Sequence, residues 1–68
     1  MPTSVVHIGE NLKDARFRAG LTQQELAEKA GTTQTTVARI ERDAVEPAVT
    51  TVRKLAAALG VSISDLLD

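Results

Sequence analysis

The amino-acid sequence predicts an all-α domain built from five short helices. Apolar residues recur every three or four positions over most of the chain, which is the spacing of a helix with one buried side. Three of these segments are followed by a glycine, as helix ends often are: Gly20, Gly31 and Gly60. No segment shows the strict alternation that indicates a half-buried strand. The 68 residues suffice for one domain, which we place at residues 8–68 after a flexible N-terminal arm, residues 1–7.

The composition argues against several classes of protein. The chain has no cysteine, which rules out a disulfide framework and a thiolate zinc site. His7 is the single histidine and has no partner for metal binding or catalysis, so we expect no metal, no cofactor and no enzymatic activity. Phe17 is the single aromatic residue, too few for a platform that stacks single strands. No apolar run approaches a membrane span and no leader pattern is present, which predicts a cytoplasmic protein.

The first helix is predicted at residues 8–19. Its inward residues share one stripe at helical spacing: Ile8, Leu12, Ala15 and Ala19. Phe17 lies almost opposite that stripe and is expected to point outward. Two interpretations stay open for it: a surface aromatic partly covered by Val5 and Val6 of the arm, or a contact for another protein.

Residues 21–42 predict two further helices joined by a tight turn. Thr22 and Glu25 form a capping box, and Leu21 with Leu26 can form a hydrophobic staple. Gly31 ends the second helix, and Thr32 or Thr33 caps the third.

The spacing within this pair of helices is typical of a helix-turn-helix. Ala27 is small enough for a close helix crossing, Gly31 permits the bend, and Val37 with Ile40 fill the angle between the helices. A plain αα-hairpin inside a small bundle is the alternative. A helix-turn-helix would place the third helix in the major groove of DNA.

The fourth helix is predicted at residues 49–59 and the fifth at residues 63–67. Ala48 gives the fourth helix no side-chain cap, whereas Ser62 and Asp65 form a second capping box. The inward side of the fourth helix is expected to consist of Val49, Val52, Leu55, Ala56 and Leu59. Leu66 and Leu67 supply the apolar side of the fifth helix, and we expect a dimer contact at this helix and the end of the fourth.

The third helix carries the residues that suit base recognition. Gln34, Thr35 and Arg39 lie on its outward side, and such side chains pair with adenine, with the thymine methyl group and with guanine. Thr36 is ambiguous because it lies nearer the inward side. The alternative for Gln34 and Thr35 is an ordinary solvated helix start. The residues expected to contact phosphates are Thr22, Gln23, Thr33 and Arg42.

Two charge observations bear on this hypothesis. The net charge of −1 is unusual for a nucleic-acid-binding chain, so affinity must come from local placement of positive groups. Arg16 and Glu41 are placed either to form an ion pair between the first and third helices or to remain two independent surface charges.

The sequence resembles the Cro/C1-type helix-turn-helix family, which is also called XRE-like or phage-repressor-like. The resemblance covers residues 8–67 and is most specific in T-Q-x-E-L-A at residues 22–27, R-I-E at 39–41 and L-x-x-A-L-G-V-S at 55–62. It implies a five-helix, lambda-repressor-like domain that binds inverted-repeat operators as a homodimer. It also implies a phosphate contact for Gln23, base-facing positions at Gln34, Thr35 and Arg39, and an Arg16–Glu41 ion pair.

Three residues depart from the pattern of this family. Asp43 replaces a common glycine and puts an acid near the expected phosphate path, Ala48 replaces a capping serine, and Phe17 replaces a charged residue. The resulting hypothesis is a sequence-specific regulator of transcription, a repressor that binds double-stranded DNA. The rival is an antitoxin or similar module whose main partner is a protein.

Overall fold

The computed structural model describes residues 8–67 and contains five helices, as predicted. These are α1 (Gly9–Arg18), α2 (Gln23–Ala30), α3 (Gln34–Glu41), α4 (Val49–Leu59) and α5 (Ile63–Leu67). The predicted arm at residues 1–7, with Val5, Val6 and His7, lies outside the described residues, as does Asp68. Within residues 8–67, no helix combines the length and the apolar character needed to cross a membrane.

The helices pack around a single apolar core. α3 contacts α1 and α2, α2 also contacts α4, and α5 contacts α1 and α4. The core side chains are Ile8, Leu12, Leu26, Ala27, Ala30, Val37, Ile40, Val52, Leu55, Ala56 and Leu66. α3 is therefore held on its inner side by two helices, while its other side is left outward.

Side-chain caps begin three of the helices. The Glu25 amide donates to Thr22 Oγ1 at 3.0 Å and the Thr22 amide donates to Glu25 Oε1 at 2.9 Å, which confirms the first capping box. Ser62 and Asp65 form the second, with corresponding distances of 3.2 and 3.0 Å. Thr33, rather than Thr32, caps α3.

The ends of α1 to α4 share one geometry. In each, an amide donates to the carbonyl five residues earlier, and the residue before that amide has a positive φ. Glycine supplies this residue after α1, α2 and α4, but Asp43 supplies it after α3, with φ of 55°. Asp43 thus occupies the left-handed position that the family pattern assigns to glycine.

Three expectations about buried residues were wrong. Val49 is 65% exposed because it stands on the first turn of α4, before the first core residue of that helix. Ala19 is exposed because α1 ends one residue earlier, and the buried side of α1 includes Arg16 instead. Leu66 belongs to the core and offers no surface for the expected dimer contact, whereas Leu67 is 47% exposed.

Candidate nucleic-acid-binding surface

α3 has an inner side made of core residues and an outer side made of polar residues. Val37, Ile40 and Glu41 are buried, whereas the three side chains proposed for base contact are exposed: Gln34, Thr35 and Arg39. At 100° per residue, these three span about 140° of the helix circumference. The first turn of α3 carries no acidic residue. The outer side therefore presents amide, hydroxyl and guanidinium groups without a nearby carboxylate on the same turn.

The start of α3 is fixed by two threonines. Thr33 Oγ1 accepts a hydrogen bond from the Thr36 amide at 3.1 Å, and the hydroxyls of Thr33 and Thr36 are hydrogen-bonded at 2.9 Å. Thr36 is half-buried, so it lies at the edge between the two sides of the helix. This placement makes Thr36 a support for the helix start, while Thr35 projects outward.

An ion pair joins α1 to the end of α3. Arg16 Nε donates to Glu41 Oε2 at 2.6 Å, and Arg16 Nη2 donates to Glu41 Oε1 at 3.0 Å. Both side chains are buried. Arg16 Nη1 also donates to the carbonyl oxygen of Leu21 at 3.0 Å, which connects the pair to the backbone just before α2. Arg16 and Glu41 thus form a bidentate ion pair with two hydrogen bonds and are not separate surface charges.

The surroundings of this pair favour its charged form. Burial by itself would raise the pKa of Glu41, but hydrogen bonds from Arg16 and Gln23, with the charges of Arg16 and Lys13, lower it overall. The hydrogen bond to Glu41 raises the pKa of Arg16 despite partial desolvation. Both groups are therefore ionised at neutral pH, and the pair is a fixed link between α1 and α3.

Phe17 lies beside this pair on the surface. Its side chain is 63% exposed, which confirms the outward orientation. The guanidinium carbon of Arg16 lies 4.7 Å from the centre of the Phe17 ring, within the range of a cation–π contact. The ring thus covers one face of the Arg16 guanidinium and leaves most of its own surface in solvent.

Asp43 does not point its carboxylate away from the domain. Asp43 Oδ1 accepts a hydrogen bond from the Gly9 amide at 3.1 Å, at the first position of α1. Ile8, the residue at the start of α1, supplies no side-chain cap. The carboxylate of Asp43 therefore caps α1 from the loop after α3, a contact between residues 34 positions apart.

The predicted phosphate-contacting residues occupy helix ends. Thr22 and Thr33 are the N-caps of α2 and α3, and Arg42 is the exposed C-cap of α3. Gln23 is half-buried at the start of α2, where its Nε2 donates to Glu41 Oε1 at 3.0 Å. This bond and the Asp43–Gly9 contact were missed from sequence, because no local pattern connects residues so far apart.

These observations define a class of protein: a helix-turn-helix domain with the polar start of its second helix turned outward. A family model described as "Helix-turn-helix" matches residues 12–66. The chain belongs to this family, in its Cro/C1-type branch, which confirms the resemblance. Family and relatives are DNA-binding regulators rather than enzymes.

Two relatives illustrate the match. The chain is 39% identical to the HTH-type transcriptional regulator PuuR of Escherichia coli (strain K12) over 60 residues, which cover 88% of this chain and 32% of PuuR. It is 39% identical to the HTH-type transcriptional regulator SinR of Bacillus subtilis (strain 168) over 62 residues, covering 90% of this chain and 56% of SinR. The chain thus spans about a third of PuuR and a little over half of SinR.

Solved structures agree with these sequence matches. The structure of SinR, a master regulator for biofilm formation, in complex with DNA matches with a TM-score of 0.86 and covers 90% of this chain and 98% of that chain. The P22 c2 repressor bound to a synthetic operator matches with a TM-score of 0.83 at 26% identity, covering 90% of this chain and 92% of that chain. SinR is also known in a complex with the SinI protein, where the TM-score is 0.86, the identity 39% and the coverage 90% of this chain and 60% of that chain.

Proposed function

We propose that this chain regulates transcription by binding double-stranded DNA through α3, and that it acts as a repressor on an inverted-repeat operator. The observation that carries the proposal is the exposed, uncharged and hydrogen-bonding start of α3 at Gln34 and Thr35. The family match supports the proposal, as do two relatives whose structures contain DNA.

The outer side of α3 supplies the chemistry for reading base edges. Gln34 can donate to and accept from adenine N7 and N6, the Thr35 methyl group can contact a thymine methyl group, and Arg39 can donate twice to guanine. Each good bidentate pair discriminates between bases by about 1–3 kcal/mol.

The ends of α2 and α3 supply the phosphate contacts in this proposal. The backbone amides at a helix start favour an anion, which supports roles for Gln23 after the cap Thr22. Thr33 and Arg42 flank the outer side of α3 at its two ends. The Asp43 carboxylate accepts a hydrogen bond from the Gly9 amide, so one of its oxygens is engaged at the start of α1. These contacts would fix the position of the domain on the duplex without reading sequence.

A homodimer completes the proposal. Two copies with twofold symmetry would place their α3 helices about 34 Å apart, on half-sites one helical turn from each other. The exposed Leu67 on α5 supplies apolar surface for such a contact, although Leu66 does not.

A selection of bound duplexes from a random pool tests DNA binding, symmetry and spacing together. We expect enrichment of an inverted repeat whose half-sites are centred about 10 base pairs apart. Recovery of no shared sequence after repeated rounds would contradict the proposed function.

The second candidate is a protein-binding module, and the observation that favours it is Phe17 at 63% exposure. Affinity purification from the native host would then recover a stoichiometric protein partner from the wild-type chain and less of it from Phe17→Ser. Equal recovery by both chains would count against a Phe17 contact.

A further inference from the structure

The side-chain amide of Gln23 is held from inside the domain. Its Nε2 donates to Glu41 Oε1 at 3.0 Å, and a primary amide nitrogen carries two hydrogens. One N–H is engaged with Glu41, so the second remains for a ligand. Rotating the amide by half a turn would face its oxygen against the carboxylate, two acceptors without a proton between them. Glu41 therefore selects which end of the amide faces inward.

The Glu41 carboxylate is itself immobilised. Arg16 donates to both of its oxygens, and both side chains are buried. The third Arg16 bond, to the Leu21 carbonyl oxygen, connects the same group to the residue preceding the cap of α2. The carboxylate is thus fixed relative to both α1 and the start of α2. Because the Gln23 amide donates to this fixed acceptor, its orientation is fixed as well.

We propose that Glu41 is a positioning residue for DNA binding: it orients the Gln23 amide so that its second N–H donates to a backbone phosphate. The proposal rests on the proposed function of this surface. The Arg16–Glu41 pair then has two roles, because it links α1 to α3 and sets the donor direction at the start of α2. A hydrogen bond to a phosphate from a correctly oriented amide is worth about tenfold in affinity.

The free protein allows one test without DNA. In a ¹⁵N-labelled sample, relaxation measurements should show restricted motion of the side-chain NH₂ group of Gln23. The exposed Gln34 amide serves as an internal reference for a mobile side chain. The double substitution Arg16→Met with Glu41→Met removes the carboxylate without leaving a buried charge unpaired, a replacement that folded domains often tolerate. Gln23 should then resemble Gln34; an unchanged Gln23 amide would overturn the positioning role.

The second test uses a duplex selected by the wild-type chain, with single phosphates replaced by uncharged methylphosphonates. At the phosphate that Gln23 contacts, the replacement should weaken wild-type binding about tenfold. Gln23→Met should lose most of this sensitivity at the same phosphate. The double methionine variant should lose it too, although Gln23 is intact and thermal unfolding shows a folded domain.

The outcomes separate the two proposals. Full sensitivity in the double methionine variant would overturn the positioning role and leave DNA binding in place. Full sensitivity in Gln23→Met would show that Gln23 is not the donor and would also overturn it. Failure of the wild-type chain to select any duplex would overturn the proposed function, whereas the amide resonances would still report the Glu41–Gln23 bond.

Discussion

Gly9 packs closely against the end of α3, and its replacement by alanine tests that contact. A Cβ atom at Gly9 would lie 2.6 Å from the Glu41 carbonyl oxygen, 2.7 Å from Asp43 Oδ1 and 2.8 Å from the Ile40 carbonyl oxygen. Two of these three atoms belong to the backbone and cannot rotate away. Gly9→Ala therefore requires α1 to shift relative to the end of α3, or the Asp43 side chain to leave its position.

The expected destabilisation follows from three effects. Overpacking costs about 1–3 kcal/mol. Loss of the hydrogen bond between the Gly9 amide and Asp43 adds about 0.5–1.5 kcal/mol. Replacing glycine reduces the entropy of the unfolded chain and offsets about 0.4–1 kcal/mol. The sum is a loss of about 2 kcal/mol in the free energy of unfolding, or roughly 10 °C in melting temperature for a domain of this size.

Chemical and thermal unfolding followed by circular dichroism measure this loss. Gly20→Ala is the matched control, because Gly20 has a φ of +73° but nothing within 4 Å of its Cβ position. It should lose about 1 kcal/mol from backbone strain alone. Adding Asp43→Gly should recover part of the loss in Gly9→Ala and none in Gly20→Ala. A Gly9→Ala chain within about 0.5 kcal/mol of the wild type would refute the inferred close contact.

Three further predictions concern the surroundings of α3. Asp43→Ala should lower the free energy of unfolding, measured by urea denaturation, by about 1 kcal/mol because it removes the cap of α1. Asp43→Asn should lower it less, and an equal loss of stability in the two variants would contradict the capping role. The pKa of Glu41 is lowered in the folded domain, so the ionised carboxylate stabilises the fold at pH values above the ordinary glutamate pKa of about 4.3, and this stabilisation is lost as pH falls through the lower folded value. In a plot of the free energy of unfolding against pH, the acidic part should therefore be flatter for Glu41→Gln than for the wild type. Parallel plots for the two chains would exclude this contribution. Arg42 is the one cation among the proposed phosphate-contacting residues, so the logarithm of affinity should fall with the logarithm of salt concentration with a slope of about −1 per protomer; a slope near −5 would reveal further cationic contacts.

The elements of the fold were predictable because their signals are local. The Thr22–Glu25 capping box, the stop at Gly31 and the inward pair Val37 and Ile40 each depend on residues a few positions apart. Such patterns fix where helices begin and end and which side of a helix is apolar. The structure confirms these features.

The features that were missed depend on how the helices meet. Gly9 contacts Asp43 across 34 positions and Gln23 contacts Glu41 across 18, and no periodicity encodes either pair. Asp43 was expected near phosphates because its position follows α3, but the direction of its side chain is set by the start of α1. Val49 shows the same limit within one helix, because its stripe position was right for α4 but the core does not extend to the first turn.

The outward start of α3 was predicted more fully than the network behind it. Helical spacing alone separates Gln34 and Thr35 from Val37 and Ile40, and the structure leaves the first pair exposed and the second buried. Their roles as base-contacting residues remain a prediction, since exposure provides access but does not itself read a sequence.

The most direct measurement compares the base preferences of Gln34→Ala and the wild-type chain in the same selection from random duplexes. Gln24→Ala is the control, because Gln24 is an exposed glutamine on α2 that lies outside the proposed base-contacting set. The proposal predicts that Gln34→Ala loses preference at one position in each half-site and binds the selected duplex about tenfold more weakly, while Gln24→Ala keeps the wild-type preference. Identical preferences at every position for Gln34→Ala and the wild type would contradict base reading by the start of α3.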